Sequence, residues 1–411
     1  MLKAKLSLIV NYFIVALLLN SVNVFVIQLS NQLHAAQSTI SLFAPIKDFT
    51  ILVASFVLAS FIPKMGARKS IVIGLLLIII ACVAMGIHPA ISTSFLFFAL
   101  LGIAFSLIKV ATYASVIQIT DSPKAHTSFV SLLEGFFMVG ILSMSWLFGI
   151  FEGFGHWTYV FWIMAIFTGC ALLFYLTTRI EDRVKETVTE KTKERFDFSI
   201  LKTLFSSWIM WLFIILTVCY VFIENGLTIW LPTFDNHFLH IDAAIAIELI
   251  SIFSASLALG RLIFSVVLKY VSTSKVMVMS MIIGLAIFGY SVLVIKTLPA
   301  ITHVITGWEA LPPVAYWLPL VGFVIAPIYP TFCSVLLTCF PEKRFQSPIS
   351  SIIVIFSAVG GMAGAALLGY TFKLLGPAEG IAVPAIPLFV ILLVTIPFFM
   401  VVKRKTEKVQ E

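Results

Sequence analysis

Six ionisable side chains interrupt long apolar stretches of this sequence. They are Lys47, Asp48, Lys109, Glu134, Glu224 and Glu248. A charge at mid-bilayer costs about 2.5 to 3.5 kcal/mol on insertion scales, so such residues usually face a cavity or an opposite charge. An ammonium group can bind an anion, and a carboxylate can carry a proton. These residue types therefore predict binding of an ion or a polar solute inside a membrane.

Lys109 lies near the middle of the apolar run "LLGIAFSLIKVATYASVIQIT". Thr112 and Tyr113 follow it by three and four residues, which puts all three along one side of a helix. This polar side predicts that Lys109 faces inward, where its ammonium would bind an anionic group of a solute. The alternative is a structural ion pair with Glu134 on the next helix.

Two carboxylates are candidates for the interior of the site. Burial in a low dielectric disfavours the charged form, so Glu134 is either a proton-coupling acid or a salt-bridge partner. Glu224 is followed by Asn225, Gly226 and Pro232, which together predict a weakened helix. Broken membrane helices expose backbone groups to a cavity, so we expect Glu224 and Asn225 to take part in solute binding.

Two further acids are expected nearer the outer mouth. Asp48 is a candidate gate contact or coupling acid, whereas its neighbour Lys47 is expected to extend its long side chain to water. Glu248 is expected at the rim of the cavity.

Neutral polar and aromatic residues complete the predicted site. Asn20 and Asn23 belong to a stripe of amides in the first apolar run, which either binds solute hydroxyls or bonds to neighbouring helices. Tyr329 and Trp230 are candidates for stacking on a solute ring. Most other aromatic side chains are expected to face lipid or to pack.

The segment "FDNHFLHID" contains Asp235, His237, His240 and Asp242, a set of residues that could bind a divalent ion. We favour a solvated loop without metal. The sequence contains no glycine loop for phosphates, no recognisable catalytic triad and no zinc protease motif, so it predicts neither an enzyme nor a cofactor.

The composition identifies the elements that must hold these residues. Of the 411 residues, 61% are hydrophobic and 11% are charged, with a mean hydropathy of +1.10. Apolar runs of about 20 residues, enough to cross a bilayer as a helix, recur along the chain. We predict twelve spans: 6–33, 40–62, 70–87, 92–120, 127–151, 157–179, 205–234, 241–270, 274–296, 314–340, 346–374 and 381–402.

The net charge of +7 follows membrane topology. Nearly all Lys and Arg residues fall in alternate connections, the pattern that marks cytoplasmic loops, so both termini are expected in the cytoplasm of a multi-pass inner-membrane protein. This distribution argues against a nucleic-acid partner. The first span is too long for a cleavable signal core. The five cysteines lie in apolar spans without metal spacing and are expected to be packing residues.

A polar segment divides the spans into two sets of six. We predict an N-terminal bundle over 1–179, a cytoplasmic linker over 180–204 and a C-terminal bundle over 205–411. The stretches "SFIPKMGARKSIVIG" and "SVVLKYVSTSKVMVM" occupy corresponding positions in the halves, each with a lysine four residues after its first serine. Such paired repeats are typical of secondary transporters.

The loop "PKMGARKS" resembles a signature of the major facilitator superfamily, because it keeps Gly66, Arg68 and Lys69. Within that superfamily the chain is most similar to the fucose permease branch. Its Gly-Arg helix end in "GRLIFSVVLKYVSTSKV", the stretch "IYPTFCSVLL" and the glycine-rich "SSIIVIFSAVGGMAGAALLG" carry this resemblance. The resemblance implies an all-α membrane fold of twelve helices in two pseudo-symmetric six-helix bundles, and proton-driven sugar uptake.

Three departures limit what the resemblance implies: the first removes the expected gating salt bridge, and the other two alter the expected solute and proton route. The usual Asp of the loop is absent near Pro63 and Lys64, the acid of the branch's first helix is replaced by amides, and Lys109 stands where its fourth helix carries an acid. We therefore predict uptake of a small polar solute, anionic or zwitterionic, coupled to protons or to sodium, by a monomer that works by alternating access. The alternatives are proton-driven efflux of a drug, siderophore or sugar, and a non-transporting membrane receptor on the same fold.

Overall fold

The computed structural model describes residues 2–19, 43–153, 158–178, 198–298 and 303–410, and these residues are almost entirely helical. The predicted amides Asn20 and Asn23 lie outside the described residues. The helices of the first part of the chain are α1 Leu2–Leu19, α2 Phe43–Met65, α3 Ala67–Ile87, α4 Ile91–Val116, α5 Pro123–Gly153 and α6 Tyr159–Leu176. Those of the second part are α7 Phe198–Phe205, α8 Trp208–His237, α9 Ala243–Tyr270, α10 Thr273–Thr297, α11 Val314–Trp317, α12 Val321–Ile325, α13 Ile328–Cys339, α14 Lys343–Leu375, α15 Pro377–Gly380 and α16 Ala385–Gln410.

The predicted all-α membrane class is confirmed. Within the described residues, 11 helical segments are long and apolar enough to cross a membrane. Helix α2, with 23 residues, occupies the remaining predicted span and carries Lys47 and Asp48. The helices form because a lipid environment requires every backbone N–H and C=O to bond within its own segment.

Glycine and proline determine where the helices turn or break. Gly66 separates α2 from α3 with φ of +85°, a left-handed conformation that residues with a Cβ rarely adopt. The span over 314–339 is divided into α11, α12 and α13, with Pro319 and Pro327 in the two gaps. A proline cannot donate the backbone bond that would continue the helix.

The predicted break near Glu224 was wrong. Helix α8 runs without interruption through Glu224, Asn225 and Gly226 and also contains Pro232. A single proline removes only one donor, and the long apolar helix on both sides supplies the remaining backbone bonds.

The chain divides into two compact units. The first consists of Met1–Asp121, Phe136–Thr203 and Phe340–Ile355, and the second of Ser122–Gly135, Leu204–Cys339 and Phe356–Glu411. In the first unit, α4 packs against α1, α2 and α3, and α6 packs against α1 and α3. In the second unit, α8 packs against α9, α13 and α16, while α12 packs against α9 and α10. The predicted bundle boundaries stay a prediction.

Glycines of α14 permit close approach to α8 in the second unit. A Cβ added to Gly360 would lie 2.7 Å from the Val218 carbonyl oxygen. The Asn225 amide donates a hydrogen bond to the Gly361 carbonyl at 3.0 Å, and the Trp230 indole donates one to the Ala365 carbonyl at 2.8 Å. The two helices are thus joined through backbone carbonyls that only small residues leave accessible.

We predict that Gly360→Ala destabilises the protein, although alanine normally favours a helix by about 1 kcal/mol relative to glycine. Overpacking against the α8 backbone should cost about 1 to 3 kcal/mol. Gly289→Ala on α10 is the matched control, because no atom of the described residues lies within 4 Å of its added Cβ. Thermal unfolding in detergent should show a lower midpoint for the first variant alone. Equal midpoints would contradict the close packing of α8 and α14.

Candidate functional site

The candidate site is centred on Arg261 of α9, a guanidinium that is 1% exposed. Its Nη2 lies 2.7 Å from Glu224 Oε2, and its Nη1 lies 3.4 Å from Glu134 Oε2. Nη2 also donates a hydrogen bond to the Tyr220 hydroxyl at 3.2 Å. One guanidinium therefore joins side chains of α5, α8 and α9 within the second unit.

The sequence allows α5 and α9 to approach each other closely because small residues lie near Arg261. A Cβ on Gly135 would lie 2.7 Å from Leu262 Cδ2 and 3.2 Å from the Leu262 backbone nitrogen, so glycine at this position lets α5 approach α9 closely. The Ser131 hydroxyl donates to the Arg261 carbonyl at 2.8 Å, which fixes the same turn of α5. Arg261 lies nine residues before Tyr270. It is therefore about 13 Å from the end of α9.

The cluster carries two carboxylates for one guanidinium. Arginine suits this position because its planar group presents several donors in a fixed geometry and can bond two acids at once. With both acids ionised, these three groups sum to one negative charge in a low-dielectric setting. Such a cluster can accept a proton or respond to a nearby cation.

Aromatic side chains extend the cluster to α13 and α14. The rings of Tyr220 and Tyr329 are stacked, with centroids 5.6 Å apart and an interplanar angle of 21°. The Tyr329 hydroxyl lies 3.0 Å from the Ser357 hydroxyl. Tyr329, which the sequence predicts as a stacking residue, therefore reaches the charged cluster through Tyr220.

Lys109 belongs to the first unit and is surrounded by rings. Its ammonium lies 5.4 Å from the ring centroid of Phe105, 5.6 Å from Tyr113 and 5.8 Å from Tyr12. A fourth ring, that of Phe137, lies 5.5 Å away. Ring faces attract a cation, and the attraction increases when water is excluded, as it is around a side chain only 6% exposed. Its predicted ion pair with Glu134 stays a prediction.

A polar contact joins the first turns of α5 to α13. His126 Nδ1 lies 2.5 Å from the Ser334 hydroxyl, and the Thr127 hydroxyl lies 2.8 Å from the same oxygen. With Ser131 and Glu134 further along α5, these residues form a continuous row of contacts from α5 to α9 and α13.

The predicted site residues differ in their placement. Glu134 and Glu224 both contact Arg261, Tyr329 stacks on Tyr220, and Tyr113 lies beside Lys109. The Asn225 amide bonds to α14, and its predicted part in solute binding stays a prediction.

The two rim acids take separate positions. Asp48 pairs with its neighbour Lys47 at 3.3 Å and is 43% exposed. Glu248 is exposed and lies 13 residues before Arg261. On helix α9 that spacing corresponds to about 20 Å.

Sequence reasoning missed Arg261, Tyr220 and Tyr12. The available signal for Arg261 was its position nine residues inside an apolar helix, in the same stretch that was interpreted only as a Gly-Arg helix end. Tyr220 precedes Glu224 by four residues, one helical turn, which would have placed the two side chains on the same face.

The interpretation of "FDNHFLHID" as a loop was wrong at its start. Asp235 lies within α8, is 1% exposed, and its carboxylate oxygens have no hydrogen-bond partner among the described residues. The helix continues to His237 before the chain turns, so the acid is directed into the protein instead of into solvent.

Comparison with known proteins agrees with this architecture. The Major Facilitator Superfamily family model matches residues 8–310. No curated protein matches the chain. A structure of the transporter FucP in the outward conformation is similar, with a TM-score of 0.75, 15% identity, and coverage of 95% of this chain and 97% of that chain.

Two further structures are similar over nearly their full lengths. The proton:xylose symporter XylE bound to 6-bromo-6-deoxy-D-glucose has a TM-score of 0.74 and 12% identity, with coverage of 95% of this chain and 94% of that chain. The human organic anion transporter MFSD10 has a TM-score of 0.70 and 12% identity, with coverage of 96% and 99%.

The chain belongs to the Major Facilitator Superfamily, and the predicted fold class is confirmed. Members of this superfamily are membrane transporters. The predicted resemblance to the fucose permease branch is supported at the level of the fold.

We predict that Arg261→Met strongly destabilises the protein. Removing one partner of a buried ion pair leaves an uncompensated charge and should cost about 3 to 5 kcal/mol. The double variant Arg261→Met/Glu224→Gln should recover much of this loss, because it also removes one of the stranded acids. Denaturant titration in detergent micelles measures both.

Arg344→Met is the matched control. Arg344 lies 2.7 Å from Glu342, but the two side chains are 63% and 58% exposed. An exposed pair contributes about 0 to 1 kcal/mol, so this variant should be nearly neutral. A loss in Arg261→Met no larger than that in Arg344→Met would contradict the structural role of the buried cluster.

Proposed function

We propose that this transporter takes up a small polar solute, anionic or zwitterionic, together with protons, by alternating access between the predicted halves 1–179 and 205–411. The observation that carries this proposal is the buried cluster in which Arg261 bonds both Glu134 and Glu224. Glu134 belongs to one predicted half, whereas Arg261 and Glu224 belong to the other.

The cluster supports proton coupling through its charge. Two acids and one guanidinium sum to one negative charge, and a membrane interior disfavours any net charge. A proton on Glu134 or Glu224 would neutralise the sum and weaken one bond to Arg261. If Lys109 also pairs with Glu134, the alternative that the sequence leaves open, four charges balance. A solute anion that then binds Lys109 would restore the need for a proton. In that arrangement, binding of an anion and binding of a proton favour each other.

Lys109 supports an anionic group on the solute. Its ammonium is held among four rings, whose faces can also pack against the apolar side of a solute. The Thr112 hydroxyl, three residues further along α4, is buried and has no hydrogen-bond partner among the described residues. The side-chain amide of Asn11 on α1 is also buried and has no hydrogen-bond partner among the described residues. Unsatisfied polar groups in a membrane protein favour a polar ligand or water.

The solved structures of similar fold include a fucose:proton symporter, a proton:xylose symporter and an organic anion transporter. Proton coupling and a polar solute accord with the first two proteins, and Lys109 accords with the third. Asp48 and Glu248 are proposed as contacts near the outer gate, and both termini are proposed to be cytoplasmic.

The proposed solute class predicts a specific ligand response. In a thermal-shift screen with sugar acids, dicarboxylates, amino acids and neutral hexoses, an anionic or zwitterionic compound should raise the unfolding temperature. Lys109→Ala should remain folded but lose both this response and transport, whereas Lys109→Arg should keep part of the response because it keeps the charge.

A shift caused only by neutral hexoses, or a shift that is unchanged in Lys109→Ala, would rule out Lys109 as the anion site. Stabilisation by a compound that proteoliposomes never accumulate would favour a non-transporting receptor. Accumulation that requires a proton gradient in the direction opposite to that of uptake would favour efflux.

Alternating access predicts that the α5 to α13 contact must open during transport. In a background without native cysteines, Thr127→Cys/Ser334→Cys should form a disulfide upon oxidation, because the wild-type hydroxyl oxygens lie 2.8 Å apart. This disulfide should abolish transport, and reduction should restore it.

Ser55→Cys/Ser106→Cys is the matched control, since those hydroxyl oxygens lie 3.0 Å apart between α2 and α4 of the first unit. That disulfide should leave transport intact. Full transport with the 127–334 disulfide formed would refute the proposed movement.

A further inference from the structure

Asp235 of α8 is a buried acid that the proposed mechanism does not use. It is 1% exposed, and neither of its carboxylate oxygens has a hydrogen-bond partner among the described residues. It also lies in the last turn of its helix, where the helix dipole disfavours a negative charge. An ionised carboxylate is costly in such a place, whereas a carboxyl group that carries a proton costs far less. This placement suits a proton-binding group.

Charged neighbours do not offset a charge on Asp235. On α9, α14 and α15, which contact α8, the ionisable side chains nearest this end are those of Glu248, Lys373 and Glu379, and all three are exposed. Helix α13 carries no Asp, Glu, Lys, Arg or His, and the charged residues of α16 begin only at Lys403. A proton from solvent is therefore the cation that fits this carboxylate.

A short loop covers Asp235 at the end of α8. The Ile241 N–H donates to the Asp235 carbonyl at 3.1 Å, and the Asp242 N–H donates to the Ile305 carbonyl at 2.9 Å. The Ile305 N–H in turn donates to the His240 carbonyl at 2.8 Å. The charge pattern of the sequence predicts that this connection lies on the outer side of the membrane. Asp235 is thus one loop away from the outer solvent.

Asp235 lies on the same side of α8 as Glu224. The two acids are 11 residues apart, which is about three helical turns and about 16 Å. Thr228 lies between them on that side, is exposed, and donates its hydroxyl to the Glu224 carbonyl at 2.7 Å. Pro232 has no N–H to bond the Thr228 carbonyl, which points along the helix towards Asp235. The hydroxyl and the carbonyl of Thr228 can therefore hold water between the two acids.

We propose that Asp235 binds a proton from the outer side and passes it along this side of α8 to Glu224. The O–H bond of Asp235 breaks, the proton moves through water at Thr228, and a new O–H bond forms on the Glu224 carboxylate. Outer solvent then returns a proton to Asp235. This relay rests on the proposed proton coupling at the Arg261 cluster, and it adds the group through which the proton enters.

Infrared spectroscopy after laser release of protons from a caged acid tests the relay, because a protonated carboxyl group and a carboxylate absorb at different frequencies. The purified full-length chain carries the 127–334 disulfide, which keeps the α5 to α13 contact closed. The band of protonated Glu224 is assigned by its loss in Glu224→Gln.

Asp235→Asn should lack one protonated-carboxyl band that is present before the protons are released. It should also slow the rise of the Glu224 band by about a hundredfold, the lower end of what a positioned proton-transfer group contributes. Thr228→Val should slow the same rise because it removes the hydroxyl, whereas Thr228→Ser should keep the original rate.

Glu309→Gln is the matched control, because Glu309 is an exposed acid shortly after Ile305. It should change neither the bands nor the rate. If Asp235→Asn keeps the first band, or if its Glu224 band rises at the original rate, the relay is wrong and the proposed function stands. If the Glu224 band never appears in the chain without these substitutions, the proposed proton coupling at Glu224 is wrong as well, so the two failures are distinguishable.

Discussion

The buried pairing of Arg261 with Glu134 and Glu224 is the interaction on which the rest of this structure depends. A guanidinium that is 1% exposed within an apolar helix is stable only while acids satisfy it. The pairing therefore requires α5, α8 and α9 to contact one another at the same level along their axes. Under the proposed function, a proton on either acid would weaken the attraction that holds the three helices together.

Close helix packing makes this pairing possible. Gly135 and Gly260 leave room beside Arg261, where added Cβ atoms would lie 2.7 Å from Leu262 Cδ2 and 2.5 Å from Ala326 Cβ. Four ring faces contribute to stabilising the buried cation of Lys109. Under the proposed function, the Arg261 cluster takes up the proton and Lys109 binds the anion.

The sequence predicted the helical membrane class, the family and the positions of most spans, because apolar length and charge asymmetry are properties of the chain itself. It also identified Glu134, Glu224 and Lys109 as buried charges. It missed Arg261, whose location beside a glycine suggested a helix end, and only tertiary packing reveals which acids reach it. The predicted break near Glu224 was wrong because the long apolar helix on both sides supplies the backbone bonds. The Asn225 amide bonds to the Gly361 carbonyl of α14, a partner 136 residues away that local propensity cannot identify.

The most direct test of this account is infrared difference spectroscopy of the purified protein at constant pH, before and after addition of a stabilising solute. We expect a band from a newly protonated carboxyl group, which should be absent in Glu134→Gln or in Glu224→Gln and retained in Glu379→Gln, an exposed acid. Solute binding without any such band, or a band that persists in both buried-acid variants, would contradict the claim that the Arg261 cluster couples solute to protons.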